Sequence, residues 1–398
     1  MPLTGLVDFV SDILHSTPAN MWPLIGEDGK HYVGPSVDNY SSGILKLGCA
    51  ETNTITYTRS EAQWRTDLAG LGMGTSGTYN VSSVVPAPGT PYFFIVGGGD
   101  ISAGNESHNV GVRHKIVSTA SVVVDGGFAN IRAAGGGLLY RGGSVGQVFG
   151  SQVIGSSLYA VHLLDNPGSW LRYYLVKYDL TGTDANLTVG SWEDRVTHIT
   201  AWDSAFFTSS TSRQYYNRVS LLDQGDGTIR LFAYVGVPEI AGSGSTTIDA
   251  LSAPTLLSCV VDPVAHTCSA SSDVSSLFGI PFSDAGLNYA DAVGSSRDDY
   301  TSPSINGTTN EIRFPRSFSD NRQYEREQRF LFNGISDVIN LGQTTFQFTE
   351  EITFSSDLEF VQTWREGGDL LVTARDTRRF FFGQISLGSP RSFSRVWG

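Results

Sequence analysis

The sequence predicts an all-β protein built from many short strands joined by tight turns. Gly (45 residues) and Pro (15 residues) are spread along the 398-residue chain, and long runs of the helix-forming residues Ala, Leu, Glu and Lys are missing. The apolar stretches are short and are bounded by Gly, Asn, Asp or Ser. A hydrophobic share of 40% and an aromatic share of 11% are sufficient for a packed core.

Strand-like stretches recur after Trp22, and turn dipeptides separate several of them. The clearest stretches cover residues 44–47, 92–96, 158–163, 228–233, 311–314 and 369–373. Four dipeptides suit the positive φ angles of two-residue hairpins: Asp28-Gly29, Asp125-Gly126, Asp226-Gly227 and Asn306-Gly307. Together these features predict up-and-down antiparallel pairing, as in the sheets of a propeller blade.

The length of the chain exceeds that of one compact core, so the strands must form either a modular architecture or several domains. We predict a β-propeller of about five to seven irregular blades over residues 21–398. The alternative is a set of tandem β-sandwich domains. The aromatic segment 380–397 is expected to close the body by pairing with the first blade near His31 and Val33.

Residues 1–20 carry an amphipathic helical pattern. Thr4 is a suitable N-cap and Pro18 a suitable stop. Because Asp8 and Asp12 interrupt its apolar run, the segment is not a secretory signal, and we expect synthesis in the cytoplasm. We interpret it as a helix that docks on a partner protein; the alternative is a helix packed on its own domain. The docking face consists of Leu6, Phe9, Val10, Ile13 and Leu14.

The formal net charge of −13 argues against a nucleic-acid partner, because such surfaces need clustered cations. No apolar run reaches the length that crosses a bilayer, so membrane insertion is not expected. The seven histidines and three cysteines form no metal-ligand pattern, and we predict no metal and no cofactor. Cys49, Cys259 and Cys268 are predicted to be reduced thiols, the alternative being a Cys259–Cys268 bridge across a hairpin.

Two groups of side chains are candidates for a ligand site. Inward-facing carboxylates at the mouth of a propeller channel can act as acid and base on a glycan, and the same residue types are common in turns. These candidates are Asp38, Asp100, Asp203 and Asp299. Aromatic rings in turn regions can stack on sugars or anchor a protein interface. These are Trp170, Trp202, Tyr215, Tyr216 and Tyr300.

The segment from Asp223 to Gly227 has the alternating oxygen ligands of a calcium loop, but the full ligand series is absent. We therefore interpret it as a hairpin turn.

The combination of Met1, an acidic charge, only four lysines (Lys30, Lys46, Lys115 and Lys177), Gly/Ser/Thr/Asn-rich β stretches and a short N-terminal helix resembles virion proteins of tailed bacteriophages. The resemblance implies a structural component of a tail or fibre that resides in the virion and contacts other virion proteins. It also implies recognition of a host surface, with glycan as the ligand. Self-association is a further expectation. The alternatives are a glycan-active propeller hydrolase and a cellular interaction scaffold.

Overall fold

A computed structural model describes most of the chain and consists almost entirely of antiparallel sheets. The described residues form two compact units, the first within residues 20–202 and 261–268, and the second within residues 218–260 and 269–397. Descriptions below concern residues 20–36, 45–49, 54–59, 61–70, 79–100, 107–128, 148–166, 170–182, 195–202, 218–235, 255–278, 304–306, 311–315, 324–348, 359–366, 369–375, 380–386 and 392–397.

The first unit contains three four-stranded sheets in which each strand pairs antiparallel with its sequence neighbours. Sheet 1 consists of β1 (Asn20–Ile25), β2 (His31–Ser36), β3 (Leu45–Cys49) and β4 (Thr54–Arg59). Sheet 2 consists of β5 (Tyr79–Pro86), β6 (Tyr92–Asp100), β7 (Ser107–Ser118) and β8 (Ser121–Phe128). Sheet 3 consists of β9 (Val148–Ile154), β10 (Ser157–Asn166), β11 (Trp170–Asp179) and β12 (Val196–His198). Helix α1 (Glu61–Gly70) follows β4, and a 3-10 turn (Thr200–Trp202) follows β12.

Sheet 2 is the middle layer of the first unit. On β6, Phe93 and Ile95 join an apolar cluster with residues of sheet 1 and α1, whereas Phe94 and Val96 join a second cluster with residues of sheet 3. Both faces of this sheet are therefore covered, which explains its unbroken apolar run. A sheet packed on both faces is the arrangement of stacked blades and differs from a two-layer sandwich.

The second unit holds most of sheet 4 and all of sheet 5. Sheet 4 consists of β13 (Arg218–Asp223), β14 (Ile229–Val235), β15 (Thr255–Asp262), β16 (Thr267–Cys268) and β17 (Ser272–Asp273), with helix α2 (Ser275–Phe278) after it. Sheet 5 consists of β18 (Ser304–Asn306), β19 (Glu311–Pro315), β20 (Tyr324–Gly334), β21 (Asp337–Phe348), β22 (Glu359–Glu366), β23 (Asp369–Arg375), β24 (Phe380–Ser386) and β25 (Ser392–Trp397). It is two four-stranded antiparallel halves joined by a parallel pairing of β21 with β25.

Aromatic residues form the core of the second unit. Phe232 of β14 and Phe278 of α2 pack against Phe330 and Phe332 of β20. The ring of Phe232 meets that of Phe332 edge-on at a centroid distance of 5.5 Å, an arrangement favoured by the ring quadrupoles. The inward face of β20 is thus fixed against sheet 4.

Two of the predicted turn dipeptides lie in hairpin turns that are longer than predicted, and one does not form a turn. Gly29 (φ 74°) and Gly227 (φ 92°) adopt the expected positive φ angles, but Asp28 and Asp226 do not. Five residues, rather than two, separate β1 from β2 and β13 from β14. Asp125-Gly126 instead lies inside β8, where Gly126 pairs with Arg113 and the next pair shifts the register, leaving Asp125 as the extra residue of a bulge. Asn306 ends β18, and Gly307 lies outside the described residues.

The predicted pairing of the C-terminal segment with the first blade is wrong. β24 pairs with β23 and β25, and β25 pairs further with β21. Strand β2, which contains His31 and Val33, already has β1 and β3 as its two neighbours. Since a strand has only two hydrogen-bonding edges, β2 has no room for a further partner.

The predicted all-β fold class with blades of the propeller type is confirmed, because the described chain is a succession of antiparallel sheets, three of which are four-stranded meanders. The predicted helix within residues 1–20, with its docking face, lies outside the described residues. None of Cys49, Cys259 and Cys268 is in a disulfide. Cys268 lies opposite Val261 in the β15–β16 hairpin rather than opposite Cys259.

Candidate functional site

His114 of β7 forms a buried pair with Asp67 of α1. Its Nε2 lies 3.5 Å from Asp67 Oδ2, and its Nδ1 lies 3.0 Å from the carbonyl oxygen of Val112. The imidazole stacks on Phe93 at a centroid distance of 5.1 Å. Asp67 and the buried Trp64 are one helical turn apart on the same face of α1. The pair therefore anchors α1, and its fully buried imidazole is closed to a substrate in this conformation.

A second buried pair joins two strands of sheet 3. The hydroxyl of Tyr178 and Nε2 of His162 are 2.8 Å apart, and both side chains are buried. Burial lowers the pKa of His162 to about 3 and raises the pKa of Tyr178, because both charged forms lose hydration. At neutral pH the imidazole is therefore neutral, and the tautomer of the ring decides whether Tyr178 or His162 donates the hydrogen bond.

Arg113 of β7 links sheet 2 to sheet 3 inside the first unit. Its Nη1 donates to the carbonyl oxygen of Asp179 (3.2 Å) and its Nη2 to that of Asp125 (2.7 Å). The guanidinium carbon lies 5.3 Å from the centroid of the Tyr92 ring, within cation–π range. Only 3% of Arg113 is exposed, so its charge is committed to these contacts rather than to an external ligand.

Lys115, two residues further along β7, extends this polar group toward the surface. Its ammonium forms an ion pair with Glu27 in the β1–β2 turn and lies 5.8 Å from the centroid of the Tyr92 ring. The hydrogen bond to Glu27 raises the pKa of Lys115, because it stabilises the charged form. The pair holds the turn of sheet 1 beside sheet 2.

Several carboxylates in the described turns accept hydrogen bonds from their own turn. Asp226 Oδ1 accepts from the backbone and hydroxyl of Thr228 at 2.9 and 2.6 Å, and these bonds lower the pKa of Asp226. Asp223 Oδ1 accepts from the backbone of Gly225 at 2.9 Å. The segment from Asp223 to Gly227 is thus a hairpin turn of the Asx type, as predicted from the sequence.

The structure describes only some of the predicted catalytic carboxylates. Asp100 is the last residue of β6 and pairs with Ser107 at the start of β7. The other three lie outside the described residues: Asp38, Asp203 and Asp299. The catalytic role of this set therefore stays a prediction.

Among the predicted aromatic ligand residues, Trp170 is the first residue of β11. Trp202 is fully buried and meets Tyr173 edge-on at a centroid distance of 5.6 Å. The ring is part of the core in this conformation, and a contact of Trp202 with a ligand stays a prediction. Three further candidates lie outside the described residues: Tyr215, Tyr216 and Tyr300.

An exposed apolar surface at the end of the β20–β21 hairpin was not predicted from the sequence. We call residues 333–342 the hairpin tip. Ile335, Ile339 and Leu341 expose 45%, 46% and 43% of their surface, an unusual amount for large aliphatic side chains close together. Residues 338–348 contain no Asp, Glu, Lys or Arg, but longer uncharged runs such as residues 68–99 occur elsewhere, so the sequence offers no distinctive signal for the tip. The tip is the candidate functional site of the described chain.

Within the described ranges, no group of three or more His, Cys, Asp or Glu side chains is arranged to hold a metal ion. No described helix has the length and apolar character needed to cross a membrane.

No family model and no curated protein matches the sequence. Solved structures similar to it include a member of the DUF4221 family from Bacteroides vulgatus (11% identity, 96% of this chain and 94% of that chain, TM-score 0.35). They also include the GH43_1 enzyme from Xanthomonas citri complexed with xylose (9% identity, 98% and 95%, TM-score 0.37). A third is cobalt-substituted Synechocystis ACO (9% identity, 98% and 78%, TM-score 0.39). These low scores and identities carry no argument about function.

Proposed function

We propose that this protein is a structural component of a tailed-phage virion, associated with the tail or a fibre, that binds other virion proteins and a host-surface glycan. The observation that supports this proposal most directly is the exposed hairpin tip with Ile335, Ile339 and Leu341. Exposed aliphatic side chains grouped on a folded surface are typical of protein interaction sites. A component of a particle meets several neighbours and needs such surfaces.

The placement of the described titratable groups favours binding over catalysis. His114 and His162 are buried and hydrogen-bonded within the core of the first unit, and Asp223 and Asp226 are occupied by their own turn. Arg113 is committed to carbonyl oxygens. These groups rigidify the sheets, which suits a protein whose role is to present a surface.

The test is the composition of purified particles of the phage that encodes this chain. After gradient purification and a high-salt wash, mass spectrometry should detect its peptides at a constant ratio to a major capsid protein. Peptides that are abundant in the lysate and absent from washed particles would contradict the proposal.

Glycan binding is tested separately on the isolated protein, by retention on immobilised host polysaccharide. The amount of reducing ends should stay constant during the incubation. A steady release of reducing ends that Asp100→Asn abolishes would instead support the hydrolase alternative. Failure to bind the polysaccharide would remove the glycan part of the proposal and leave the virion part standing.

A further inference from the structure

Arg230 of β14 is a half-buried cation on the face of sheet 4 that packs against β20. It lies opposite Leu222 of β13 in the strand register and two residues before Phe232, so the three side chains share one face of the sheet. Leu222 and Phe232 belong to the apolar cluster that contains Phe330 and Phe332 of β20. The guanidinium carbon of Arg230 lies 5.6 Å from the centroid of the Phe332 ring. The positive charge is therefore at the border of the core of the second unit.

The hydrogen-bond partners of Arg230 are neutral side chains. Its Nε donates to Gln224 Oε1 at 3.0 Å, and its Nη1 donates to Ser258 Oγ at 3.3 Å. Gln224 is itself held by a hydrogen bond from its Nε2 to Thr228 Oγ1 at 2.8 Å. The carboxylate of Asp226 meets this chain of hydrogen bonds through Thr228. The guanidinium is therefore fixed in place, and in the described part of the chain it has no carboxylate partner.

Two cations of sheet 2 have carboxylate partners, in contrast to Arg230. Arg113 Nη2 lies 3.4 Å from Asp125 Oδ2, and Lys115 forms an ion pair with Glu27. Removing a charge from water costs free energy unless an opposite charge compensates for the lost hydration. Burial accordingly lowers the pKa of Arg230. An anion from outside the chain would supply the missing compensation.

We propose that the guanidinium of Arg230 binds the carboxylate of an acidic sugar. Its Nη2 makes no hydrogen bond within the described residues, so this nitrogen is the donor that a ligand can use. A planar guanidinium matches a carboxylate in shape. Because the described partners of Arg230 add no second positive charge and the chain has a net charge of −13, a singly charged carboxylate is favoured over a doubly charged phosphate. The sugar part of this ligand rests on the glycan binding proposed above, whereas the anion site does not.

The first experiment compares two ligands on the unmodified full chain, by saturation-transfer NMR titration with glucuronate and with glucuronamide, its neutral amide. Glucuronate should bind about tenfold more tightly, because a charge-assisted hydrogen bond is roughly twice as strong as a neutral one. Its affinity should fall as salt rises, since salt screens the attraction. Equal affinities for the two ligands would overturn the proposal and leave glycan binding standing.

The variants locate the effect at Arg230. Arg230→Met keeps a long apolar side chain and removes the charge, so it should abolish the preference for glucuronate. Lys30→Met is the matched control, because it removes the same charge from a side chain that already pairs with Asp28 at 3.8 Å, and its preference should equal that of the wild type. A preference that survives in folded Arg230→Met, or that Lys30→Met also loses, would contradict the assignment.

A further measurement covers the case in which Arg230→Met does not fold, and it separates the anion site from the glycan proposal. In the wild-type chain with isotopically labelled arginine, the Nε–H signal of Arg230 is assigned from its absence in Arg230→Lys. This signal should shift with glucuronate and with acetate, but not with acetamide. A shift with acetate in a chain that host polysaccharide does not retain would keep the anion site and remove the sugar. The absence of a shift with acetate would overturn the anion site, whether or not polysaccharide is retained.

Discussion

Strands β6 and β20 both contain consecutive apolar residues, but they are buried in different ways. Phe93, Phe94 and Ile95 of β6 are all buried, because successive side chains point to opposite faces and both faces of sheet 2 are covered. On β20, Phe330 and Phe332 are buried, whereas Leu331 between them is only partly so. An apolar run alone therefore does not tell whether a strand is a middle layer or has one face turned outward.

The residues paired with these two strands also differ in their burial. In sheet 2, Phe93 pairs with His114 of β7, whose imidazole is itself buried and stacked on it. In the hairpin, Leu331 pairs with Ile339, which is 46% exposed. The first face belongs to the core, and the second is available to a partner.

The largest expected effect comes from truncating one large apolar side chain in each of these two strand pairs. Phe94→Ala should destabilise the protein by about 3–5 kcal/mol, because it leaves a cavity between sheets 2 and 3. Ile339→Ala should change the free energy of unfolding by less than about 0.5 kcal/mol, as is usual at exposed positions. Urea unfolding followed by circular dichroism measures both. Similar losses in the two variants would show that the hairpin face is also core.

Acid should weaken the stacked sheets selectively through His162. Its pKa is about 3 in the folded protein and near 6.5 when unfolded, so between these values the unfolded chain binds the additional proton. Stability should therefore fall as pH drops from about 6.5 toward 3, by several kcal/mol in order of magnitude. In His162→Gln this part of the pH dependence should disappear. Thermal melts across the pH range test this, and an unchanged acid limb in the variant would contradict it.

Arg113 and Lys115 of β7 allow a buried cation to be compared with a partly exposed one. Arg113→Met should cost about 1–3 kcal/mol, because it leaves the part-buried carbonyl oxygens of Asp179 and Asp125 without this donor and removes the ion pair with Asp125. Lys115→Met should cost less than about 1 kcal/mol, since its ion pair with Glu27 is partly exposed. Urea midpoints of the two variants give the ranking, and the reverse order would show that the surface pair is the stronger link.

The smallest expected effect concerns the turns. Gly29→Ala should cost about 1 kcal/mol, because the φ angle of 74° is unfavourable for a residue with a Cβ atom. Gly70→Ala is the control, since a Cβ atom there meets nothing within 4 Å and φ is not positive. Its melting temperature should equal or slightly exceed that of the wild type. A loss of the same size in Gly70→Ala would point to another cause.

The sequence could not predict where the candidate site lies or how the buried polar pairs form. The absence of charge in residues 338–348 does not distinguish this segment, because residues 68–99 are uncharged as well, and the exposure of Ile339 and Leu341 depends on which neighbours the hairpin has. Asp67 and His114 are 47 positions apart and belong to no sequence motif, so their pairing cannot be predicted from spacing. Trp202 was predicted to face a ligand because it lies in a turn region, yet Tyr173 and the turn bury it.

The sequence alone determined the positions of several strands and of two turn glycines, because these features depend on local chemistry. The stretches 92–96, 228–233 and 369–373 fall on β6, β14 and β23, and Gly29 and Gly227 adopt the predicted φ angles, because strand preference and positive φ depend on adjacent residues. Only the tertiary structure decided that Asp125-Gly126 forms a bulge beside Arg113 and that β25 joins β21. These outcomes depend on which distant strand offers an unoccupied edge, and that choice is set by packing between residues far apart in the chain.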